Sequence, residues 1–318
     1  MFIHPKARAM IELAARSTEP PLETLSPASA RAVADPRVMN APLRKQDVAE
    51  VRDIAIPGSA GPVTVRLYRA TDAADQPVCM FFHGGGFMLG NLDTHDALCR
   101  ALAHRSGAAV IAVDFRLAPE NKFPAATSDC LAATRWILEQ AGSLGLSAQR
   151  FAVAGESSGG NLAASVALQL RAYGLTPSLQ VLLYPLVDME PRGPSYEQFA
   201  TGFLLTAQRT EHYINNYLRS ARDKANLLAS PLRDPSPSLS PSTFLLTAGL
   251  DLSTSSAQQY GDRLHSVGVS VERAHFEGWP HGFLFWGNED GSTKALNLAG
   301  DALRRALTGP SGDPHGIA

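Results

Sequence analysis

A chain of 318 residues, 45% hydrophobic and 18% charged, is long enough to bury a sizeable core, which excludes a mini-protein scaffold and a predominantly disordered chain. Twenty-eight Lys and Arg against 30 Asp and Glu give a net charge of −2, too little positive field to hold a phosphate backbone, so no nucleic-acid partner is expected. Cys79, Cys99 and Cys130 form no CxxC pair, which suits free thiols in a reducing compartment and supports neither a zinc site nor a disulfide framework.

The first 16 residues carry Lys6, Arg8, Glu12 and Arg16 and lack an apolar run ending in a small-residue cleavage site, so no export signal is read and a cytoplasmic location is expected. No uncharged apolar run approaches the roughly 20 residues needed to cross a bilayer, so no membrane partner is expected either. Met10, Ile11, Leu13 and Ala14 predict a short amphipathic helix, followed by irregular, proline-containing chain as far as residue 45. Segments 51–56 and 63–68 flank Pro57, Gly58, Gly61 and Pro62 and predict an antiparallel pair. Apolar runs at 78–82, 109–113, 151–154, 179–184, 243–248 and 269–275 are too short for helices and can be buried on both faces, as parallel strands are. Helical periodicity separates them at 96–106, 125–140, 162–173 and 255–267. This alternation predicts an α/β fold built on a mostly parallel, twisted sheet flanked by helices. One interval is too long for a simple crossover. More than fifty residues separate Pro185 from the strand near Thr243, and within them 208–219 carries Tyr213, Ile214, Tyr217 and Leu218 at helical spacing, which reads as a helical cover over the carboxyl edge of the sheet. The expected division is a catalytic unit at 46–187 and 226–310, an inserted cover at 188–225, and a flexible tail at 311–318.

The segment Gly155-Glu156-Ser157-Ser158-Gly159 follows an apolar strand and leads directly into a helix. A serine on such a sharp turn needs small neighbours, and the helix N-terminus behind it favours developing negative charge. Ser157 is therefore the candidate nucleophile. Upstream, His83-Gly84-Gly85-Gly86-Phe87 ends another apolar run; its successive glycines let backbone amides face a ligand as oxyanion donors, and the amide of Ser158 adds to them. Of the nine histidines, His281 in Trp279-Pro280-His281-Gly282-Phe283 follows the last strand on a loop, where it can reach over the sheet edge as general base. Two aspartates can orient it: Asp251 follows the 243–248 strand and Asp188 follows the 179–184 strand, and either preserves the order Ser, Asp, His. Asp188 can equally serve as an N-cap or a solvated loop residue.

Taken together, His83 to Gly86, the run Asn91 to Asp96, Asp114 to Glu120, Phe123 to Ala126, the nucleophile turn, Tyr184-Pro185, Ser230 to Leu232, Ala248 to Asp251 and Trp279 to Phe283 resemble the hormone-sensitive lipase family of α/β-hydrolases, the bacterial family IV esterases. The resemblance spans about residues 51–285. It implies an α/β-hydrolase fold with a helical cap made by residues 1–45 and the insertion, and a serine carboxylesterase acting on short- to medium-chain acyl esters without cofactor or metal. It implies Ser157, Asp251 and His281 as triad and the amides of Gly85, Gly86 and Ser158 as oxyanion hole, with Gly84 as a further donor. Phe87, Tyr184, Phe203, Leu204 and Phe283 are expected to line the pocket, and a homodimer is admitted. The nucleophile turn departs from the family's GDSAGG at Glu156 and Ser158; Asp251-Leu252-Ser253-Thr254-Ser255 lacks the Pro-Leu and second acid usual after the aspartate; and Phe115 stands where Tyr is common. An aryl-amidase or deacetylase using the same triad, and a ligand-binding member without turnover, are the alternatives; such binding members lose the histidine that His281 keeps.

Overall fold

The computed structural model describes residues 1–308; the tail expected at 311–318 lies outside the described residues. Two helices, α1 (Pro5–Ala15) and α2 (Pro27–Met39), precede an eight-stranded sheet. Its strands are β1 (Glu50–Gly58), β2 (Gly61–Arg69), β3 (Gln76–Phe82), β4 (Ala109–Val113), β5 (Leu146–Glu156), β6 (Leu179–Leu183), β7 (Thr243–Leu250) and β8 (Val271–Pro280). They lie in the order β1-β2-β4-β3-β5-β6-β7-β8; β1 and β2 are antiparallel, β2 meets β4 antiparallel, and from β4 to β8 every pair is parallel. The connecting helices are α3 (Asp96–Ser106), α4 (Ala125–Gln140), α5 (Ser158–Leu170), α6 (Pro194–Gln198), α7 (Ala207–Tyr217), α8 (Thr254–Ser266) and α9 (Lys294–Thr308).

The apolar runs are uninterrupted because both faces of the central strands are covered. Successive strand side chains point to opposite faces, and on β3 Val78, Met80 and Phe82 join the layer that includes α4, α5 and α8 residues, whereas Cys79 and Phe81 join the layer that includes α3 and α9 residues. All positions of β4 and β6 are buried. The outer strands β1 and β8 alternate or expose their residues, as edge strands do.

Three features differ from the sequence reading. The chain between α1 and β1 is not irregular: α2 forms there, capped by Ser26, whose side chain accepts from the Ser29 amide, with Pro27 in its first turn. Its core-facing side chains are only Ala30 and Ala34, and Pro36 lies inside it, so the apolar periodicity that marks a helix is weak. The short helix α6 and the C-terminal helix α9, which buries Leu296, Ala299, Leu303 and Leu307 against the sheet, were also unassigned. Among the described residues, no helix is long and apolar enough to cross a membrane.

Candidate active site

The carboxyl ends of neighbouring strands gather the chemistry-bearing residues, the place where open α/β sheets bind ligands. Ser157 immediately follows β5, Asp251 follows β7 and His281 follows β8, while His83 to Gly86 leave the end of β3, the neighbour of β5. Ser157 has φ 56° and ψ −119°, a conformation side-chain-bearing residues avoid, and the turn is held by its amide donating to the Leu183 carbonyl at 2.9 Å. Gly159 permits the tight fit: a Cβ there would strike the carbonyl oxygens of Phe82 and His83, so only glycine lets α5 approach the end of β3.

A continuous hydrogen-bond chain crosses the site. Ser157 Oγ lies 2.8 Å from His281 Nε2, and His281 Nδ1 lies 2.7 Å from Asp251 Oδ2. With Nδ1 protonated and donating to the carboxylate, Nε2 is free to accept from the serine hydroxyl. Asp251 is completely buried and His281 almost so. Burial pulls the His281 pKa down, but the charge of Asp251, its hydrogen bond, and the charge of Glu156 outweigh this and hold it above the ordinary 6.5. The Tyr184 ring packs against the imidazole with centroids 4.7 Å apart.

Facing Ser157, the loop after His83 turns through three successive left-handed residues, Gly85 (φ 108°), Gly86 (φ 63°) and Phe87 (φ 63°). Two glycines take this path at little cost. Phe87 is held in it by stacking on Tyr217 (centroids 3.7 Å, planes 5° apart), by its amide donating to Ser158 Oγ at 3.2 Å and by its carbonyl accepting from the Ala118 amide at 2.9 Å. Among the described residues, the amides of Gly85, Gly86 and Ser158 have no protein acceptor. The Gly84 amide is different. It donates to His95 Nε2 at 3.2 Å, so it is not free as Gly85 and Gly86 are, and a Cβ on Gly84 would fall on the Glu156 carboxylate.

A cavity of about 570 Å³ opens onto Ser157 and His281. Its walls come from the N-terminal segment (Met10, Leu22, Val38), the insertion (Leu204, Leu205, Tyr213) and the chain after β8 (Phe285, Trp286). The charged side chains at its edge are already engaged: Asp35 accepts from the Gly90 amide at 3.0 Å and Asn91 Nδ2 at 3.3 Å, Arg209 pairs with Glu23 at 2.9 Å, and Arg37 pairs with Glu19. A second cavity of about 600 Å³, walled by Glu190, Arg192, Glu197, Glu211 and Lys224, contains no member of the hydrogen-bond chain.

A family profile for the alpha/beta hydrolase fold matches residues 79–285, the interval that contains the glycine loop, Ser157, Asp251 and His281. The chain belongs to the α/β-hydrolase family, in its hormone-sensitive lipase (family IV) branch. It is 39% identical over 251 residues to an ethyl acetate hydrolase of Pseudomonas putida, covering 76% of this chain and 78% of that protein. It is 38% identical over 267 residues to the carboxylic ester hydrolase LipN of Mycobacterium tuberculosis, covering 81% and 71% respectively. A crystallised ester hydrolase from the metagenome of Lake Arreo, complexed with a bipyridine phosphonate derivative, superposes with a TM-score of 0.93 at 34% identity, covering 96% of this chain and all of that one.

Within this α/β-hydrolase, Ser157, Asp251 and His281 are brought together, whereas Asp188 is not: it accepts from Arg233 at 3.1 Å and from the Glu190 amide at 3.1 Å in the insertion. The pocket expectation needs correction. Leu204 lines the cavity, but Phe87, Tyr184, Phe203 and Phe283 do not. Phe87, Tyr184 and Phe283 are fully buried core side chains, and Phe203 packs edge-on against Phe199. Aromatic rings near a motif repay burial, since each removes 150–250 Å² from water, so adjacency to a catalytic residue in sequence is a poor guide to cavity lining. Residues 1–45 were expected to contribute to the cap, but the individual wall residues Met10, Leu22 and Val38 were not singled out, and Val38 lies on α2, which was not read. Asn161, the first buried polar side chain beyond the nucleophile turn, was also missed; it donates to the carbonyls of Leu186 and Ala229 at 2.7 Å each and ties the base of the insertion to α5.

Proposed function

We propose that this carboxylic ester hydrolase cleaves short- to medium-chain acyl esters by a two-step acyl transfer in which Ser157 is the nucleophile, His281 the general acid and base, and Asp251 its orienting carboxylate. The observation that carries the reading is the hydrogen-bond chain Ser157–His281–Asp251, at 2.8 and 2.7 Å, set opposite three amides without protein acceptors. As Ser157 Oγ attacks the ester carbonyl, its proton passes to His281 Nε2, and the imidazolium is stabilised by the buried Asp251 charge. The tetrahedral oxyanion is received by the amides of Gly85, Gly86 and Ser158, with the N-terminus of α5 aligned behind them. His281 then protonates the departing alcohol as the carbon–oxygen bond breaks, leaving an acyl-serine. Water repeats the sequence: His281 takes its proton, hydroxide adds to the acyl carbon, and Ser157 leaves with the proton returned from His281. The Tyr184 and Tyr217 hydroxyls and the Cys79 thiol near the sheet are buried, and burial raises their pKa values and holds them neutral.

The cavity supports a neutral, compact acyl ester as substrate. Its lining is mostly apolar, Arg37 and Arg209 at its edge are paired within the protein and Asp35 is hydrogen-bonded there, and its volume falls within the 300–1,000 Å³ of small-molecule sites. We read residues 1–45 and 188–225 as a two-part cap on the catalytic unit formed by 46–187 and 226–310, since the N-terminal segment and the insertion both wall this cavity. The test is hydrolysis of p-nitrophenyl esters from acetate to palmitate by the wild type and by Ser157→Ala, with the matching anilide in parallel. The expected result is turnover that peaks among the short and medium acyl chains and disappears in Ser157→Ala. Faster cleavage of the anilide, or a Ser157→Ala variant that still turns over, would overturn the proposal.

A further inference from the structure

The turn after the aspartate, Asp251-Leu252-Ser253-Thr254-Ser255, lacks the Pro-Leu and second acid usual in the family it resembles, and the structure shows what stands in their place. Ser253 occupies the N-cap of α8, where a serine ordinarily turns its oxygen to the first amides of the helix. It makes no such bond. Its hydroxyl instead donates to Asp251 Oδ2 at 2.9 Å, and its amide donates to Asp251 Oδ1 at 2.9 Å. Oδ2 is the same oxygen that accepts from His281 Nδ1, so one residue supplies two of the three donors on a carboxylate that has no solvent exposure. The turn is anchored from the insertion side as well: Ser195 Oγ donates to the Leu252 carbonyl at 2.9 Å, and Ser195 and Ser255 exchange amide-to-hydroxyl bonds at 3.0 and 2.8 Å.

We infer that the Ser253 hydroxyl is a positioning residue for catalysis, fixing the plane of the Asp251 carboxylate and sharing its charge, so that Oδ2 meets His281 in the orientation that aims Nε2 at Ser157. This rests on the reading of Ser157, His281 and Asp251 as the triad. Two consequences separate positioning from mere satisfaction of a buried oxygen. Without the hydroxyl, Oδ2 keeps only the imidazole and Oδ1 only the Ser253 amide, so the carboxylate plane is held less firmly and turnover falls; Ser253 lines the cavity, but alanine keeps its Cβ there, so binding is expected to change little. Oδ2 also concentrates more charge on the imidazole, so His281 holds its proton to higher pH. The charged and titratable groups facing His281 are Asp251 and Glu156, with Ser157 and the Tyr184 ring completing its surroundings; Ser253 alters only the first of these.

The experiment measures kcat, KM and the pH profile of kcat/KM for p-nitrophenyl butyrate with the wild type, Ser253→Ala, Ser253→Cys, Ser253→Thr and Asp251→Ala, each checked for folding by circular dichroism and thermal melting. A charge-assisted bond of this kind is expected to cost on the order of tenfold in kcat for Ser253→Ala, with KM changed by less than about twofold. The acidic limb is expected to move to higher pH by about half a unit. Ser253→Thr, which keeps the hydroxyl, is expected to retain wild-type behaviour, and Ser253→Cys, with a weak donor in nearly the same shape, to fall between. A folded Ser253→Ala with wild-type kcat and an unmoved acidic limb overturns the inference, even if its melting temperature drops. Should Ser253→Ala not fold, the Cys and Thr variants decide: equal kcat and equal limbs in the two overturn it. If Asp251→Ala turns over like the wild type, the triad reading itself is wrong and the role of Ser253 falls with it.

Discussion

Replacing Phe87 by alanine probes the link between core packing and the amides that face Ser157. Phe87 is fully buried, stacked on Tyr217 at 3.7 Å, and holds φ 63°, a conformation that costs a non-glycine residue about 1–3 kcal/mol. Phe87→Ala keeps that backbone cost and removes the packing that offsets it. Phenylalanine-to-alanine changes in cores cost about 3–5 kcal/mol through lost transfer energy and the cavity left behind. Unfolding entropy of about 2.1 cal/mol/K per residue gives roughly 0.7 kcal/mol/K for a chain of this length, so the melting temperature is expected to fall by about 4–7 °C. The loop then keeps only its two backbone hydrogen bonds, to Ser158 Oγ and from Ala118, and Gly85 and Gly86 are aimed less firmly; one misplaced oxyanion donor costs about 10²-fold in kcat, so a fall of about 10- to 100-fold is expected well below the melting transition, with KM changed by less than about threefold. Leu303→Ala serves as the comparison. This side chain is equally buried in α9, remote from the loop, and is expected to lose about 2–5 kcal/mol of stability while keeping wild-type kcat. Calorimetry together with p-nitrophenyl butyrate kinetics at 20 °C checks both variants. A folded Phe87→Ala with wild-type kcat, or a Leu303→Ala with the same kinetic loss, would refute the argument.

Asp251→Asn removes the charge that stabilises the imidazolium and favours the wrong His281 tautomer, so kcat is expected to fall by on the order of 10³- to 10⁴-fold with the fold intact, as steady-state kinetics and circular dichroism would show. The acidic limb of the wild-type kcat/KM profile is expected above pH 6.5, because the raised His281 pKa keeps the base protonated, and therefore inactive, until the pH rises through it. Glu156→Gln removes one of the charges that raise that pKa, so the limb is expected to move to lower pH; a limb that stays in place or moves upward would show that Glu156 does not act on His281. Arg31 of α2 donates to the carbonyls of Met88 at 2.7 Å and Ala118 at 2.9 Å and pairs with Glu120, gripping the chain just beyond the glycine loop. Arg31→Ala is expected to cost about 1–3 kcal/mol of stability and to lower kcat/KM about fivefold, measurable by melting and initial rates.

What the sequence made legible follows from how local each signal is. β3, β4 and β6 are short apolar runs because both their faces are covered, so their positions are visible without any knowledge of their neighbours. Ser157 is legible for a related reason: it sits at the end of such a run, in a turn whose small residues are required by the backbone there; His281 stands out by its place on the loop after the last strand, in Trp279-Pro280-His281-Gly282-Phe283. The choice between Asp251 and Asp188 is not local, since both follow strands; the family resemblance pointed to Asp251, and a contact between β7 and β8 places its Oδ2 2.7 Å from His281. The donors of the glycine loop illustrate the same limit. Three consecutive glycines look equivalent in sequence, but the amide of Gly84 is claimed by His95, sixty-one residues from the Glu156 carboxylate that presses on the same spot, and only the folded chain separates it from Gly85 and Gly86. The cavity walls were least legible because they assemble from α2, the insertion and the chain after β8, and a small-residue helix interrupted by Pro36 gives no periodic stripe to announce its part.

The most direct test of the central claim, that Ser157 is the residue acylated in turnover, is to treat the protein with an alkyl fluorophosphonate and to map the adduct by peptide mass spectrometry while following ester hydrolysis. One adduct per chain is expected, on the peptide containing Ser157, formed in proportion to the loss of activity and absent from Ser157→Ala, which is itself expected to be inactive. An adduct on any other residue that tracks inactivation, or unlabelled protein that has lost its activity, would contradict it.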